Sequence, residues 1–394
     1  MTSATVTRWS RAFVAAGVLF FVAWQLAVVA GSGRRLAIVL GLYGFVFHVV
    51  FGKAYALIPS YFARSLAFPR APAVHLPLAL LGTAGLAADS IGVGPPQAGS
   101  LGAGLWLGGC LVFVGAIGWT VRDNLLGGET GTGEANAHRR RVDRLANAFV
   151  PVVVAYLLAG SAVPVLESVG FDPSPLPAGG PAATHLLAAG AGALLVFAIG
   201  FRLLPRFLVT TPRFALVALV LPAGALAPAL LATDFLGGAT FRIGAVLQAV
   251  AIGGFAVAYA DMFYRSERRR VGFYAVLAGA LCGVAAVGLG LTFAFGEFAA
   301  GAFDAHYRLA LAGFLGLTIV GVSYQFYPPA IGTTPGVGDR TAHLSTGLLV
   351  GGLTLEAAGL LRRAPDLERG GSLLVLTGAA LYAFVVLAVF LERR

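Results

Sequence analysis

The 394-residue sequence is 58% apolar and only 11% charged, and it contains 54 glycines at a mean hydropathy of +0.86. This composition excludes a soluble globular domain and a disordered chain, because most segments are soluble in lipid. We expect no nucleic-acid partner despite the formal net charge of +10. The basic residues lie beside apolar segments, where they set orientation in a bilayer.

Apolar segments long enough to cross a bilayer recur along the whole chain. A hydrocarbon core about 30 Å thick requires roughly 20 such residues per helix. Windows of this length predict twelve spans, near residues 11–31, 36–58, 73–92, 100–121, 145–167, 182–204, 213–233, 242–264, 271–293, 305–327, 341–361 and 370–391. The sequence therefore predicts an all-α polytopic membrane protein, with one membrane domain over residues 1–394 in the plasma membrane.

The arginines predict the orientation of the chain. With the N-terminus inside, most of the 27 basic residues fall on inner loops or inner helix ends, including the clusters at 139–141 and 268–270. The opposite loops "DSIGVGPPQ" and "ESVGFDPSP" contain no basic residue. The positive-inside rule then places both termini in the cytoplasm.

One pattern recurs three times: glycine, fourteen residues, proline, with an aromatic residue four positions before the proline. It occupies residues 44–59, 190–205 and 313–328, in the second, sixth and tenth predicted spans. Each copy falls in the second of four spans, which predicts three pseudo-symmetric four-helix units. Their approximate limits are 1–143, 144–270 and 271–394.

Two histidines occupy related positions in this repeat. His185 and His306 lie near the outer ends of spans six and ten, so three-fold pseudo-symmetry predicts that they face one another. Imidazole is the usual axial ligand of haem iron, and Gly192 and Gly313 follow at helical spacing, where they would offer a bare surface to a macrocycle. The alternative is that each histidine hydrogen-bonds water or a loop carbonyl.

Other polar residues inside spans leave two interpretations open, because polar groups are costly in lipid. His48, near the bilayer midplane, is a candidate ligand for haem or a metal, or a hydrogen-bond partner of a neighbouring helix. His75 and His343 fit capping at the membrane interface, and Lys53 fits snorkelling to the headgroups. Glu356 fits either pairing with an arginine or proton transfer.

Two stretches resemble the haem-copper oxidase subunit I superfamily, whose fold is twelve helices in three four-helix arcs. "DAHY", residues 304–307, resembles the start of the tenth helix of that family, and "AGLLRRAPD", residues 358–366, resembles the loop between its last two helices. The resemblance implies that His306 ligates a low-spin haem. It also implies that Arg362 and Arg363 bind haem propionates.

The chain also departs from that family. Asp304 stands where the high-spin haem ligand would be, and span seven has no histidine where the family has a copper-binding pair. The copper site is therefore incomplete, which predicts that the protein does not reduce oxygen. "YGFVFHVVFGKAYALIP" and "HLLAAGAG" also resemble segments of the NnrS family, which is associated with haem, copper and nitric-oxide stress.

These observations predict a membrane haem protein with His185 and His306 as its ligands, acting with a redox partner in electron transfer or in the handling of nitric oxide, haem or metal. An enzyme acting on a small gas remains a second hypothesis, with Asp304 or Glu356 as the proton donor. A haem-free transporter or a metal or assembly factor is the alternative from another class.

Overall fold

The structure is a computed structural model that describes residues 2–171, 180–296 and 298–392. In this part of the chain there is no β-strand, and twelve helices are long and apolar enough to cross a membrane. They are α1 Thr5–Val29, α2 Arg34–Tyr61, α3 Ala71–Ser90, α4 Ala98–Val121, α5 Glu134–Ser168, α6 Pro181–Leu208, α7 Phe214–Thr233, α8 Ala239–Arg265, α9 Val271–Ala294, α10 Ala302–Ile331, α11 Asp339–Arg362 and α12 Pro365–Glu392. The predicted all-α multi-pass architecture is confirmed.

The helix limits agree with the predicted spans to within a few residues, except at the start of α5. This helix begins eleven residues before the predicted span, because a polar amphipathic segment, residues 134–148, continues it beyond the apolar stretch. Hydropathy alone detects the part of a helix that lies in lipid and misses a polar extension of this kind.

Three helices, α2, α6 and α10, occupy the centre of the molecule. In their most apolar windows 78, 72 and 72% of the residues are buried, against 33 to 50% in the other nine described helices. Those nine form a closed ring in chain order, in which α12 contacts α1 and α1 contacts α3. The repeated pattern in the sequence thus marks the three central helices.

Each central helix contains a π-helical segment. These segments are Val39–Phe47, Leu186–Ala193 and Leu309–Leu317; each includes the first glycine of the repeat, and each contacts the other two. In a π-helix each N–H bonds to the carbonyl five residues earlier, which puts more residues in a turn than in an α-helix. Residues on either side of such a segment therefore do not keep the faces that α-helical periodicity predicts.

Glycines allow α9 and α10 to touch at the backbone. A Cβ built on Gly321 would lie 2.3 Å from the carbonyl oxygen of Gly272, and one built on Gly272 would lie 2.3 Å from that of Gly321. Small residues permit this kind of close helix crossing in membranes.

We expect Gly321→Ala to lower the free energy of unfolding by about 1–3 kcal/mol, because the added methyl meets backbone that must move. Gly347→Ala on α11 is the matched control: nothing lies within 4 Å of its Cβ position, and alanine favours a helix. Thermal unfolding in detergent measures both. An equal effect of the two changes would contradict the close crossing.

A buried polar cluster joins α6 to the start of α5 and to the loop that precedes it. The Asp143 carboxylate lies 3.4 Å from Arg202 Nε and 2.7 Å from Arg206 Nη2, and the side chains of Arg202 and Asp143 are 2% and 1% exposed. Arg202 also donates hydrogen bonds of 2.7 Å to the carbonyl oxygens of Tyr61 and Thr130. Arg202 thus ties the glycine-rich loop around Thr130 to the centre of the molecule.

We expect Asp143→Ala to cost about 3–5 kcal/mol of unfolding free energy, because it leaves a buried arginine without its carboxylate. Asp123→Ala serves as the comparison. Hydrogen bonding from Arg64 lowers the pKa of Asp123, but this pair is solvent-exposed and screened, so we expect a much smaller change in melting temperature. Similar losses from the two variants would rule out the proposed role of Asp143.

Candidate functional site

A cavity of about 170 Å³ lies between α6, α7, α8, α9 and α10, and both His185 and His306 line it. The structure therefore brings together the two histidines that the repeat predicted to face one another. Their ring centroids are 6.3 Å apart and the ring planes differ by 18°. The cavity extends from the histidines toward the π-helical segments, where Phe314 and Leu315 line its deeper end.

Backbone carbonyl groups fix the tautomer of each ring. Nδ1 of His185 donates a 2.7 Å hydrogen bond to the carbonyl of Pro181, and Nδ1 of His306 donates a 2.8 Å bond to that of Ala286. A carbonyl oxygen can only accept, so Nδ1 carries the proton and Nε2 keeps its lone pair. A histidine that ligates a metal usually donates its other ring N–H to a carbonyl or carboxylate group in this way.

The spacing of the rings fits a shared metal atom. Metal–nitrogen bonds are about 2 Å long, so two rings whose centroids are 6.3 Å apart have space for one metal atom between them. Within the described ranges, no group of three or more histidine, cysteine, aspartate or glutamate side chains could hold a metal ion. The two imidazoles therefore suit a group that brings its other ligands with it.

The cavity wall is apolar and rich in small residues. Gly283, Ala286 and Gly290 on α9 form one side, and a Cβ built on Gly290 would only touch the His306 ring, at 3.4 Å. Thr184 and Tyr307 also line the cavity, and Gln248 on α8 contributes a buried Oε1 that has no hydrogen-bond partner among the described residues. Gln248 was not among the predicted site residues, although a polar residue in the middle of a span indicates a possible functional site.

The predicted positions of Gly192 and Gly313 are wrong. Gly313 packs against α9, where its Cβ would lie 2.5 Å from that of Cys282, and Gly192 faces Leu315 across a different cavity. Both glycines lie within π-helical segments, so a separation of seven residues does not return them to the face of His185 or His306.

Asp304 lies at the surface rather than in the cavity. Its carboxylate accepts a 2.7 Å hydrogen bond from Nε of Arg34, and the two side chains are 38% and 50% exposed. This ion pair links the start of α10 to the start of α2. Asp304, which stands where the resemblance places the high-spin haem ligand and was a candidate proton donor, therefore does not line the cavity of the two histidines.

Glu356 pairs with an arginine, as one of the two interpretations held. Arg308 donates hydrogen bonds of 3.0 and 2.9 Å to its two carboxylate oxygens, and both side chains are nearly fully buried. Gln25 accepts a 2.7 Å bond from Arg308, and Ser372 donates a 3.0 Å bond to Glu356. The cluster joins α1, α10, α11 and α12, and none of these four residues lines the histidine cavity.

Arg362 and Arg363 are exposed at the end of α11, and Arg363 adopts a left-handed backbone conformation with φ 54°. Neither residue lines the cavity, and no described residue forms an ion pair with either guanidinium group. Propionate binding by this pair therefore stays a prediction without a supporting contact.

His48 and His75 are fully buried beside Phe13. His48 Nδ1 donates a 2.9 Å bond to the Tyr43 carbonyl, and His75 Nδ1 lies 3.1 Å from the Tyr55 hydroxyl. Nε2 of each has no partner within the described chain. The prediction that His75 caps the membrane interface is wrong, because aromatic rings enclose it. His343 is exposed, as expected for an interfacial residue.

No protein-family model matches this sequence, and none of the curated proteins is significantly similar to it. The geometry of the site therefore carries the functional argument.

We expect Glu356→Gln to lower the unfolding free energy by about 3–5 kcal/mol, because it leaves the buried Arg308 charge uncompensated. Asp304→Asn removes the same charge from an exposed ion pair and should cost less than about 1 kcal/mol. Thermal unfolding in detergent separates the two. A larger loss of unfolding free energy for Asp304→Asn than for Glu356→Gln would contradict the structural role of Glu356.

Proposed function

We propose that the protein is an integral membrane haem protein in which His185 and His306 ligate one haem iron from opposite sides. The observation that carries this proposal is the pair of nearly parallel imidazoles, 6.3 Å apart, with both Nδ1 protons held by carbonyl groups. Haem brings four equatorial nitrogens of its own, so it needs only two axial ligands from the chain.

The residues around the histidines suit this role. The carbonyl groups of Pro181 and Ala286 orient the two rings, and the glycines and alanines of α9 leave space beside His306. The mainly apolar walls lower the polarity around the histidines, and the polarity of its surroundings tunes the redox potential of a haem. When bound, the haem supplies a site for one-electron transfer.

Electron transfer accounts for the site better than catalysis on a small gas does. Both histidines would be used to hold the haem, and neither Asp304 nor Glu356 lines the cavity, where a reaction of a small gas would need a proton donor. A redox partner would approach on the side opposite the N-terminus, where the histidine ends of α6 and α10 lie.

We extend the proposal to the whole architecture. The three π-helical segments in α2, α6 and α10 support three pseudo-symmetric four-helix units, near residues 1–143, 144–270 and 271–394. The clusters at 139–141 and 268–270 lie on the side where α1 begins, which supports cytoplasmic termini in a plasma membrane.

Spectroscopy of the purified protein from a haem-replete host tests the site. We expect a Soret band and one haem per chain by pyridine haemochrome, and we expect His185→Ala and His306→Ala each to lose most of the haem. His343→Ala is the matched control, because that histidine is exposed and lies on another helix, and it should retain full haem content.

Two outcomes would contradict this assignment. Full haem content in both cavity variants would show that the haem binds elsewhere. The buried His48 would then be the next candidate ligand. Protein without a Soret band that carries a metal ion lost in His185→Ala would favour the alternative of a haem-free metal transporter or assembly factor.

A further inference from the structure

The sequence contains 27 lysine and arginine residues, and Lys53 is the only lysine among them. It lies on α2, and its side chain turns inward to α10 instead of reaching the headgroups as predicted. Nζ donates a 2.5 Å hydrogen bond to the Tyr327 hydroxyl and lies 4.1 and 4.0 Å from the ring centroids of Phe326 and Tyr327. Aromatic faces thus hold the half-buried ammonium against α10.

The ammonium of Lys53 has no carboxylate partner among the residues that the structure describes. Every ion pair in the described part of the chain involves an arginine, and the charged group that shares the surroundings of Lys53 is the positive Arg11. An ammonium has three donors, of which Tyr327 accepts one. A cation in this position favours an anionic ligand, because isolated buried charge is costly.

Two cavities meet at Lys53. The central cavity, about 120 Å³, is lined by α2, α6 and α10, and its wall is almost entirely aliphatic. The vestibule, about 260 Å³, lies between α1, α2, α10 and α12 on the N-terminal side and is lined by Thr7, Ser10 and Arg11 among others. Lys53, Leu57 and Phe326 line both. The ammonium therefore stands between an apolar chamber and a polar, basic one.

We infer that these cavities form a binding site for an unbranched monocarboxylate amphiphile, with its carboxylate at Lys53 and its alkyl chain in the central cavity. The aliphatic wall accepts only hydrocarbon at low cost, and no aspartate or glutamate among the described residues lines either chamber to oppose an anion. A two-chain phospholipid would exceed the volume of the central cavity.

The depth of the central cavity sets the chain length. Along α2 the wall extends from Val46 to Ile58, and its part on the side of Lys53 away from the vestibule runs from Val46 to Lys53. Seven residues at about 1.5 Å each span about 10 Å. An extended alkyl chain of about eight carbons has this length. Octanoate is therefore the probe that the geometry selects, and acetate and palmitate are too short and too long.

Thermal unfolding in a non-ionic detergent tests the site, because a ligand that binds the native state raises the melting temperature. We expect octanoate to raise it in a saturable way, and octanol, octylammonium and acetate at equal concentration to leave it unchanged. Lys53→Met should remove the octanoate response, whereas Arg122→Gln, which removes an exposed charge near the end of α4, should keep it.

A second variant keeps the test valid if Lys53→Met does not fold. Val50→Phe narrows the central cavity without touching the ammonium, and it should shift the preferred ligand from octanoate to a shorter acid such as butanoate. Equal responses to octanoate and octanol would show partition into the micelle and overturn the inference. So would a full octanoate response in Lys53→Met, or an unchanged chain-length preference in Val50→Phe.

Discussion

The mutual contact of three π-helical segments at the centre of the molecule is the constraint on which the remaining structure depends. In lipid every backbone polar group must find its partner within the protein, and a π-helix satisfies this rule while it changes the direction of the side chains. The segments divide the interior into two levels. The histidine cavity lies on the side where α6 and α10 begin, and the central cavity lies beyond the segments, toward Lys53. Leu315, at the end of one segment, lines both.

Two buried arginines form ion pairs at opposite ends of the three central helices. Arg202 on α6 binds Asp143 on the N-terminal side, and Arg308 on α10 binds Glu356 near the other side. Each guanidinium also reaches neighbouring groups, so that most of its donors are used. Buried ion pairs of this kind add little net stability, but breaking one is expensive. They therefore specify which helices pack together around the cavities.

The sequence predicted what depends on local composition and periodicity. Hydropathy placed the twelve helices, and the glycine-to-proline repeat identified the three central ones and matched His185 with His306. Prediction failed where it assumed an uninterrupted α-helix, as for Gly192 and Gly313, which lie inside π-helical segments. It also left open what depends on distant partners. Arg308 and Glu356 are 48 residues apart, and the inward turn of Lys53 depends on aromatic rings of α10. These contacts arise only when the helices pack.

The central claim is that two histidines, each oriented by a carbonyl group, share one iron inside an apolar cavity. The 18° angle between their planes makes the claim specific, because the relative orientation of two axial imidazoles shapes the electron paramagnetic resonance of a ferric haem. The most direct test is the low-temperature spectrum of the oxidised, purified protein. This account predicts the rhombic low-spin signal of nearly parallel imidazoles, lost in His306→Ala. A high-spin signal, or a haem spectrum unaffected by that change, would contradict it.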